Sequence, residues 1–162
     1  MNYYSDRNAA VLNSISHIRL KHGFSNEFFI GNLANACNEP ALRLRGINVV
    51  ISLLDEDDDL EHFDGIMYHR FNIPDGYGDI VPVAQQVAAV IDGLDEPARI
   101  YLHCAMGISR SVSVLIYYIM LKSGTSYAKA RKEIRDSRRV AAPVEHYRNQ
   151  LLAWRDARAE KQ

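Results

Sequence analysis

The sequence predicts a single α/β domain with a central, mainly parallel sheet flanked by helices. Runs of apolar and β-branched residues alternate with segments of helical length, a pattern typical of parallel sheets that are covered on both faces. One of these runs leads through a short loop with a glycine into a long apolar segment, which indicates a strand, a tight turn and a buried helix. The 162 residues suffice for one domain with its own core.

Helices and strands are assigned in order from these patterns and from their end signals. The segment Asp6 to Lys21 has apolar residues at mixed spacing and is predicted to be an amphipathic helix. The predicted strands are Glu27 to Ile30, Ile47 to Leu54, Ile66 to Ile73 and Ile100 to Leu102. The further predicted helices are Pro40 to Arg45, Ile80 to Leu94 with Asp79 as its N-cap, Ser109 to Lys122 before Gly124, a helix capped by Thr125 that runs to about Arg138, and Pro143 to Arg158.

Composition and charge exclude several classes of protein. With 19 basic and 20 acidic residues, the chain has no excess charge for binding nucleic acid or an anionic membrane. Two cysteines, Cys37 and Cys104, are too few for a disulfide framework and are typical of a reducing compartment. No segment approaches the ~20 apolar residues that span a bilayer, and the first residues lack a signal-peptide core and a myristoylation glycine. We therefore expect a soluble, cytoplasmic protein.

The segment His103-Cys104-Ala105-Met106-Gly107-Ile108-Ser109-Arg110-Ser111 has the features of a phosphate-binding loop between a strand and a helix. Backbone N–H groups converge at a helix N-terminus and favour an anion, and the same environment lowers the pKa of a cysteine. Arg110 offers a planar fork that fits two phosphate oxygens, whereas the helix dipole opposes a cation at this place unless an anion is bound. The structural alternative is an inert core cysteine beside a solvated arginine.

These residues match the H-C-x-x-G-x-x-R-S signature of the cysteine-dependent protein phosphatases, and the form H-C-A-M-G-I-S-R-S looks most like the small dual-specificity branch. Two further segments resemble early strands of that family, Phe28 to Leu33 and Gly46 to Leu53. The resemblance covers about residues 26–153. It implies a dual-specificity phosphatase catalytic domain over residues 26–158. The predicted N-terminal helix lies before it, in a helical segment over residues 1–25, and the whole is one domain.

The resemblance implies a role for each residue of the loop. Cys104 would be the nucleophile and would form a phosphocysteine that water then hydrolyses. Ser111 would hydrogen-bond the sulfur and assist its departure, or else satisfy backbone groups at the start of the helix. His103 would fix the loop through hydrogen bonds, or be a structural histidine, and is not expected to act as a base. The phosphate oxygens would be bound by the Arg110 guanidinium and by the loop amides of Ala105, Met106, Gly107, Ile108, Ser109 and Arg110.

The departing oxygen of a substrate needs a proton from a carboxylic acid. The segment Ile73 to Ile80 resembles the family's general-acid loop, and Asp75 within it lies 29 residues before Cys104, close to the family spacing. We expect Asp75 to be this acid. Asp79 is the competitor, although its place before a helix favours a cap, and Asp64 is remote in sequence.

The segment Ile134 to Val144 resembles the family's R-x-x-R-P-x-x-x-P-N motif. Arg138 matches an arginine near the rim of the cleft, where it would either contact substrate or remain a solvated surface residue. Arg139 replaces the usual proline, and Val144 replaces the asparagine that normally supports the catalytic loop. The resemblance therefore does not extend to that supporting contact.

The resemblance implies a metal-independent phosphatase, without a cofactor, that acts on phosphotyrosine and on phosphoserine or phosphothreonine in proteins. Because nothing in this chemistry needs a metal, the acidic run Asp55 to Glu61 is interpreted as a solvated loop. Uncharged side chains within the phosphate loop argue against phosphoinositides. The alternatives are a tyrosine-specific phosphatase, an RNA 5′-phosphatase of the same superfamily, a phosphopeptide-binding module with little turnover, and a redox sensor centred on Cys104 and Cys37.

Overall fold

The computed structural model describes residues 6–95 and 97–162. Five strands, namely β1 (Ser16–Ile18), β2 (Glu27–Gly31), β3 (Val49–Leu54), β4 (Met67–Asn72) and β5 (Arg99–His103), form one sheet in the order β1-β2-β5-β3-β4. Strand β1 runs antiparallel to β2, and the other neighbouring strands are parallel. This confirms the predicted α/β fold with a mainly parallel sheet.

Helices cover both faces of the sheet. They are α1 (Asp6–Leu12), α2 (Leu33–Ala36), α3 (Glu39–Leu44), α4 (Ile80–Asp92), α5 (Arg110–Ser123), α6 (Tyr127–Ser137) and α7 (Glu145–Glu160). Residues of α4, α5, α6 and α7 pack on one face in the larger core layer. Residues of α2 and α3 pack on the opposite face in a smaller layer.

The alternation of side chains along each strand explains these two layers. In β5, Ile100 and Leu102 belong to the larger layer, whereas Tyr101 between them belongs to the smaller one. Successive side chains of a strand point to opposite faces, so a continuous apolar run fills both layers at once. Helix α5 is buried from Arg110 to Met120, which places its N-terminus in the interior beside the end of β5.

The N-terminal segment differs from the predicted helix over Asp6 to Lys21. The helix ends at Leu12, and Ser16–Ile18 forms the edge strand β1, paired with β2. Ile15 lies in the smaller core layer and Ile18 in the larger one. A helix with one apolar face cannot reach both sides of a sheet, whereas an extended segment can. The sheet therefore includes residues from the segment 1–25 that we expected to be helical.

Three smaller differences concern two helix caps and one short helix. The side chain of Ser126 caps α6 by accepting a hydrogen bond from Lys129 N, a role predicted for Thr125. Helix α2 was absent from the prediction; it is four residues long and is capped by Asn32. Asp79 occupies the N-cap position of α4, but within the described chain its side chain makes no capping hydrogen bond.

No helix among the described residues is long and apolar enough to cross a membrane.

Candidate active site

The loop between β5 and α5 carries the predicted phosphate site. It begins after His103 and ends at Arg110, the first residue of α5, so the helix N-terminus faces the loop. Gly107 has a φ of +67°, and a Cβ at this position would lie 2.4 Å from the carbonyl oxygen of Gly31. Only glycine fits this conformation and this close approach. The backbone of β2 thus fixes the shape of the loop from behind.

Cys104 lies at the bottom of this loop and is 3% exposed. Burial by itself raises the pKa of the Cys104 thiol, but hydrogen bonds with the side chain and backbone of Ser111 oppose it, helped by the Arg110 charge and a hydrogen bond with the Gly107 backbone. The net result is a pKa below that of an ordinary thiol. The Ser111 Oγ lies 3.4 Å from Cys104 Sγ, where it can donate to a thiolate. The predicted contact between Ser111 and the sulfur is therefore present.

Arg110 is 1% exposed, which is unusual for a charged side chain. Its Nη1 donates to the Ile73 carbonyl at 2.9 Å and to Asp55 Oδ2 at 3.1 Å. Its Nε lies 3.6 Å from Asp75 Oδ1, and among the described residues this buried N–H has no hydrogen-bond partner. A buried donor that lacks a partner is costly, so Arg110 is prepared to receive an anion from outside.

His103 supports the loop from the core. It is fully buried, and burial lowers the pKa of its imidazole to about 4. Its Nδ1 lies 3.0 Å from the Cys104 carbonyl oxygen and its Nε2 lies 2.6 Å from Ser52 Oγ. Because a carbonyl only accepts, Nδ1 carries the proton and Nε2 accepts from the Ser52 hydroxyl. His103 is thus a neutral residue that contacts the backbone at Cys104.

Asp75 lies on an exposed loop over the same site, and its side chain is 61% exposed. Helix α7 holds this loop: Tyr147 Oη lies 2.7 Å from the Pro74 carbonyl oxygen and 2.8 Å from that of Tyr77, so it donates to one or the other. Burial raises the pKa of Tyr147 to about 12, so this hydroxyl keeps its proton. This hydrogen bond from Tyr147 to the loop keeps Asp75 near Arg110.

The other two candidate acids lie elsewhere. Asp79 is exposed at the start of α4 and does not line the cavity described below. Asp64 lies in the loop that precedes β4, and its carbonyl accepts from Arg43. Parallel strands begin at the edge of the sheet opposite to the edge where they end, so Asp64 lies far from the end of β5. Of the three, Asp75 is the carboxylate beside Arg110.

One cavity of about 220 Å³ brings the predicted groups together. Its lining unites the nucleophile candidate, the arginine and the acid with apolar side chains at the edge: Asp75, Cys104, Met106, Ile108, Ser109, Arg110, Ala142 and Val144. Met106 is half exposed and Val144 is more than a third exposed, so they form an apolar rim. A phosphate group on a side chain can enter here and meet the sulfur.

The position of Val144 shows how the loop is supported without an asparagine. The Val144 N–H donates to Ser109 Oγ at 3.0 Å, and the Ala142 N–H donates to the Ile108 carbonyl oxygen at 2.8 Å. Backbone donors of the segment before α7 therefore hold the loop. This contact depends on the backbone and not on the side chain at position 144, so the family motif could not reveal it.

Arg138 is not at the rim of the cleft, which corrects the expectation of a substrate contact or a solvated surface residue. It is fully buried behind the loop, where Nε donates to the Gly107 carbonyl oxygen at 2.7 Å and Nη2 to that of Met106 at 3.1 Å. Its Nη1 donates to the carbonyls of Val11 and Ser14 and to Ser16 Oγ. A buried guanidinium needs several acceptors, and the loop and the N-terminal segment supply them.

Asp55 is a residue of the site that sequence reasoning missed. The acidic run was interpreted as a solvated loop, and Glu56, Asp57 and Asp59 are indeed exposed. Asp55 is different, because it directly follows β3 and contacts Arg110. Ligand sites of open parallel sheets lie beyond the carboxyl ends of neighbouring strands. Because Asp55 directly follows a predicted strand, its position alone could have indicated a residue of the site.

The site combines a cysteine whose pKa is lowered, a buried arginine whose Nε–H has no hydrogen-bond partner among the described residues, and a strand–loop–helix frame. These are the features of a candidate phosphate site with a cysteine nucleophile. Residues 28–157 match the family model described as dual specificity phosphatase, catalytic domain. The match covers more than half of the chain, and the chain belongs to this family.

Curated relatives agree with this assignment. The chain is 26% identical over 129 residues to the dual specificity protein phosphatase Mpk3 of Drosophila melanogaster, with 78% of this chain and 31% of that protein covered. It is 28% identical over 129 residues to dual specificity protein phosphatase 1B of Arabidopsis thaliana, with 76% and 74% covered. The chain spans about a third of the length of Mpk3 and of dual specificity protein phosphatase 4 of Gallus gallus.

Solved structures share the fold. The crystal structure of human tyrosine phosphatase-like serine/threonine/tyrosine-interacting protein superposes with a TM-score of 0.78 at 23% identity, covering 91% of this chain and 99% of that one. The crystal structure of DUSP15 gives 0.74 at 21% identity, with 92% of each chain covered. One fold can host different activities, so activity depends on the residues of the site.

Proposed function

We propose that this chain hydrolyses phosphotyrosine and phosphoserine or phosphothreonine in proteins, without a metal, through a phosphocysteine intermediate. The observation that supports this most directly is the buried Arg110 Nε–H, which has no hydrogen-bond partner in the described chain and belongs to a residue that lines the same cavity as Cys104. A phosphate dianion would satisfy this donor and the backbone amides of the loop together.

The first chemical step would be attack of the Cys104 thiolate on phosphorus. The S–P bond forms while the bond from phosphorus to the side-chain oxygen of the substrate breaks. The carboxylic acid of Asp75 gives its proton to the departing oxygen, which leaves as an alcohol or a phenol. Arg110 and the loop amides would stabilise the charge on the three equatorial phosphate oxygens.

The second step would release the enzyme. The Asp75 carboxylate, now without its proton, takes a proton from a water molecule as the water oxygen attacks phosphorus. The S–P bond breaks, inorganic phosphate leaves, and Cys104 returns to a thiolate. The Ser111 hydroxyl at 3.4 Å would donate a hydrogen bond to this leaving sulfur, which lowers the energy of its departure.

The site supports protein substrates and a reducing compartment. The side chains of Ala105, Met106, Ile108 and Ser109 carry no charge that would attract the extra phosphates of a phosphoinositide. A reactive thiolate is preserved where thiols stay reduced, so we propose a cytoplasmic location. The catalytic domain that we propose over residues 26–158 encloses the segment matched by the family model.

Matched peptides that carry phosphotyrosine, phosphoserine or phosphothreonine test the substrate class. The short loop from Pro74 to Asp79 leaves the cavity accessible, so we expect measurable kcat/KM on all three, with chelator and reductant present. A preference for phosphotyrosine beyond roughly 10⁴, which is about 5–6 kcal/mol of differential transition-state binding, would contradict dual specificity. Binding without turnover would favour a phosphopeptide-binding module, and turnover confined to RNA 5′-phosphates would favour the RNA alternative.

A further inference from the structure

Asp55 connects two parts of the site that lie far apart in sequence. Its Oδ2 accepts a hydrogen bond from Arg110 Nη1 at 3.1 Å, and its Oδ1 accepts one from the backbone N–H of Asp75 at 3.3 Å. The two oxygens of one carboxylate therefore contact the phosphate-binding arginine and the loop of the general acid. Neither contact is part of the chemical steps described above.

The contact with Arg110 fixes the direction of the guanidinium. Nη1 donates both to Asp55 and to the Ile73 carbonyl oxygen, so each of its two N–H groups has an acceptor. A guanidinium is planar and rigid, so fixing Nη1 also fixes where Nε points. The buried Nε–H has no hydrogen-bond partner among the described residues, so it remains available for a phosphate.

The contact with Asp75 holds the acid over the same donor. Asp75 Oδ1 lies 3.6 Å from Arg110 Nε, so the carboxylate stands beside the place that a phosphate would occupy. Its exposed side chain has freedom to move away, but the hydrogen bond from its N–H to Asp55 restricts the backbone. Asp55 thus sets the relative position of the phosphate-binding arginine and the acid.

Asp55 is itself held in place by the acidic loop that it begins. Its N–H donates to Asp58 Oδ2 at 3.0 Å, and its carbonyl oxygen accepts from Arg70 Nη2 at 2.7 Å. Arg70 also donates to the Asp58 carbonyl oxygen at 2.8 Å. The segment that looked like a solvated loop in sequence is ordered around Arg70 on the side that faces the site.

We propose that Asp55 is a positioning residue that aligns Arg110 and the Asp75 loop for phosphoryl transfer, a role that rests on the proposed function of the site. It does not donate the proton to the leaving group. Its removal should impair every substrate, those with good leaving groups included, because an oxyanion is held less well whatever group departs from it.

The test compares Asp55→Ala, Asp55→Asn and the matched control Asp57→Asn, which changes an exposed carboxylate of the same run. Activity is measured on p-nitrophenyl phosphate, whose leaving group needs little help, and on phenyl phosphate, whose leaving group needs a proton. Tungstate binding is measured by titration calorimetry, and melting temperature reports folding. Asp55→Ala should lose on the order of 10²-fold in kcat/KM on both esters and should bind tungstate more weakly. Asp55→Asn, which keeps an acceptor oxygen, should recover part of both, and Asp57→Asn should match wild type.

Two results would overturn this assignment. If Asp55→Ala has the same kcat/KM and the same tungstate affinity as Asp57→Asn, the contacts of Asp55 with Arg110 and Asp75 do not position them for catalysis. A loss confined to phenyl phosphate would make Asp55 a proton donor instead. An inactive wild type would refute the proposed function, yet the tungstate affinities would still decide whether Asp55 orients Arg110. If Asp55→Ala does not fold, Asp55→Asn decides: tungstate affinity weaker than in Asp57→Asn supports the role, and equal affinity contradicts it.

Discussion

The charge state of Cys104 depends on a balance between burial and hydrogen bonds. Burial of the sulfur disfavours the thiolate, whereas the Ser111 contacts, the Arg110 charge and the Gly107 backbone favour it. Ser111 contributes through both its hydroxyl and its backbone. Its hydroxyl can be removed without changing the helix, which makes this balance accessible to experiment.

Substitution of Ser111 by alanine should raise the pKa of the Cys104 thiol. The hydrogen bond favours the charged form, so its loss moves the pKa upward, and thiolate then forms only at higher pH. The rate of Cys104 alkylation by iodoacetamide, followed against pH, should show its midpoint shifted to higher pH in Ser111→Ala. Ser123→Ala, in the same helix but bonded to the Ile119 carbonyl oxygen, is the control. An unshifted midpoint in Ser111→Ala would refute the role of its hydroxyl.

Sequence reasoning found the residues that belong to the signature but not those that position them. Cys104, Arg110 and Ser111 lie within one short segment, where the spacing itself predicts a shared site. Arg138 and Asp55 reach the same loop from distant parts of the chain. Arg138 looked like a surface residue because a charge is rarely buried, and its acceptors are backbone carbonyls that no side-chain pattern reveals.

At the scale of elements, the loop between β4 and α4 depends on α7 for its position. The Tyr147 hydroxyl donates to the carbonyl oxygen of either Pro74 or Tyr77. The Gln150 side chain donates to the Gly78 carbonyl oxygen and accepts from the Ile80 N–H. These contacts occur at both ends of the loop and leave the Asp75 side chain exposed in the middle. The acid is thereby presented to a substrate without being buried.

Asp75→Asn should cost roughly 10²–10⁴-fold in rate on substrates with poor leaving groups, because the amide cannot give a proton. The loss should be smaller on p-nitrophenyl phosphate. Steady-state kinetics over a series of aryl phosphates measures this dependence, with Asp79→Asn as the matched control on the same loop. A leaving-group dependence in Asp79→Asn and none in Asp75→Asn would reverse the two roles.

Most helices and strands of the domain agree with their predicted segments, and the exceptions have physical reasons. The β3 strand and the α5 helix are long, apolar runs whose type is clear from the sequence. The segment around Ser16 is short, and its strand conformation depends on pairing with β2. The residues of β2 lie too far along the chain to enter a local pattern around Ser16. Helix α2 is one turn long and too short for a periodic pattern.

At the scale of the whole molecule, the fold brings the ends of β3, β4 and β5 to one edge of the sheet. These strands are neighbours in the order β5-β3-β4, so Asp55, the Asp75 loop and Cys104 follow three adjacent strand ends. Alternating strands and helices predicted a parallel sheet, but not this order. Strand order depends on contacts between distant segments, so the meeting of Asp55 with Arg110 could not be derived from spacing.

The central claim is that Cys104 carries the phosphoryl group during turnover, and trapping that group tests it most directly. Wild type is mixed with a phosphotyrosine peptide, quenched in acid within one turnover, digested and analysed by mass spectrometry. Ser111→Ala is treated alike, because slower departure of the sulfur should make the intermediate accumulate. We expect one phosphoryl group on the peptide that contains Cys104, and a larger phosphorylated fraction in Ser111→Ala. Cys104→Ser should show neither the phosphoryl group nor turnover. Turnover that persists in Cys104→Ser, or a phosphoryl group on another residue, would contradict the mechanism.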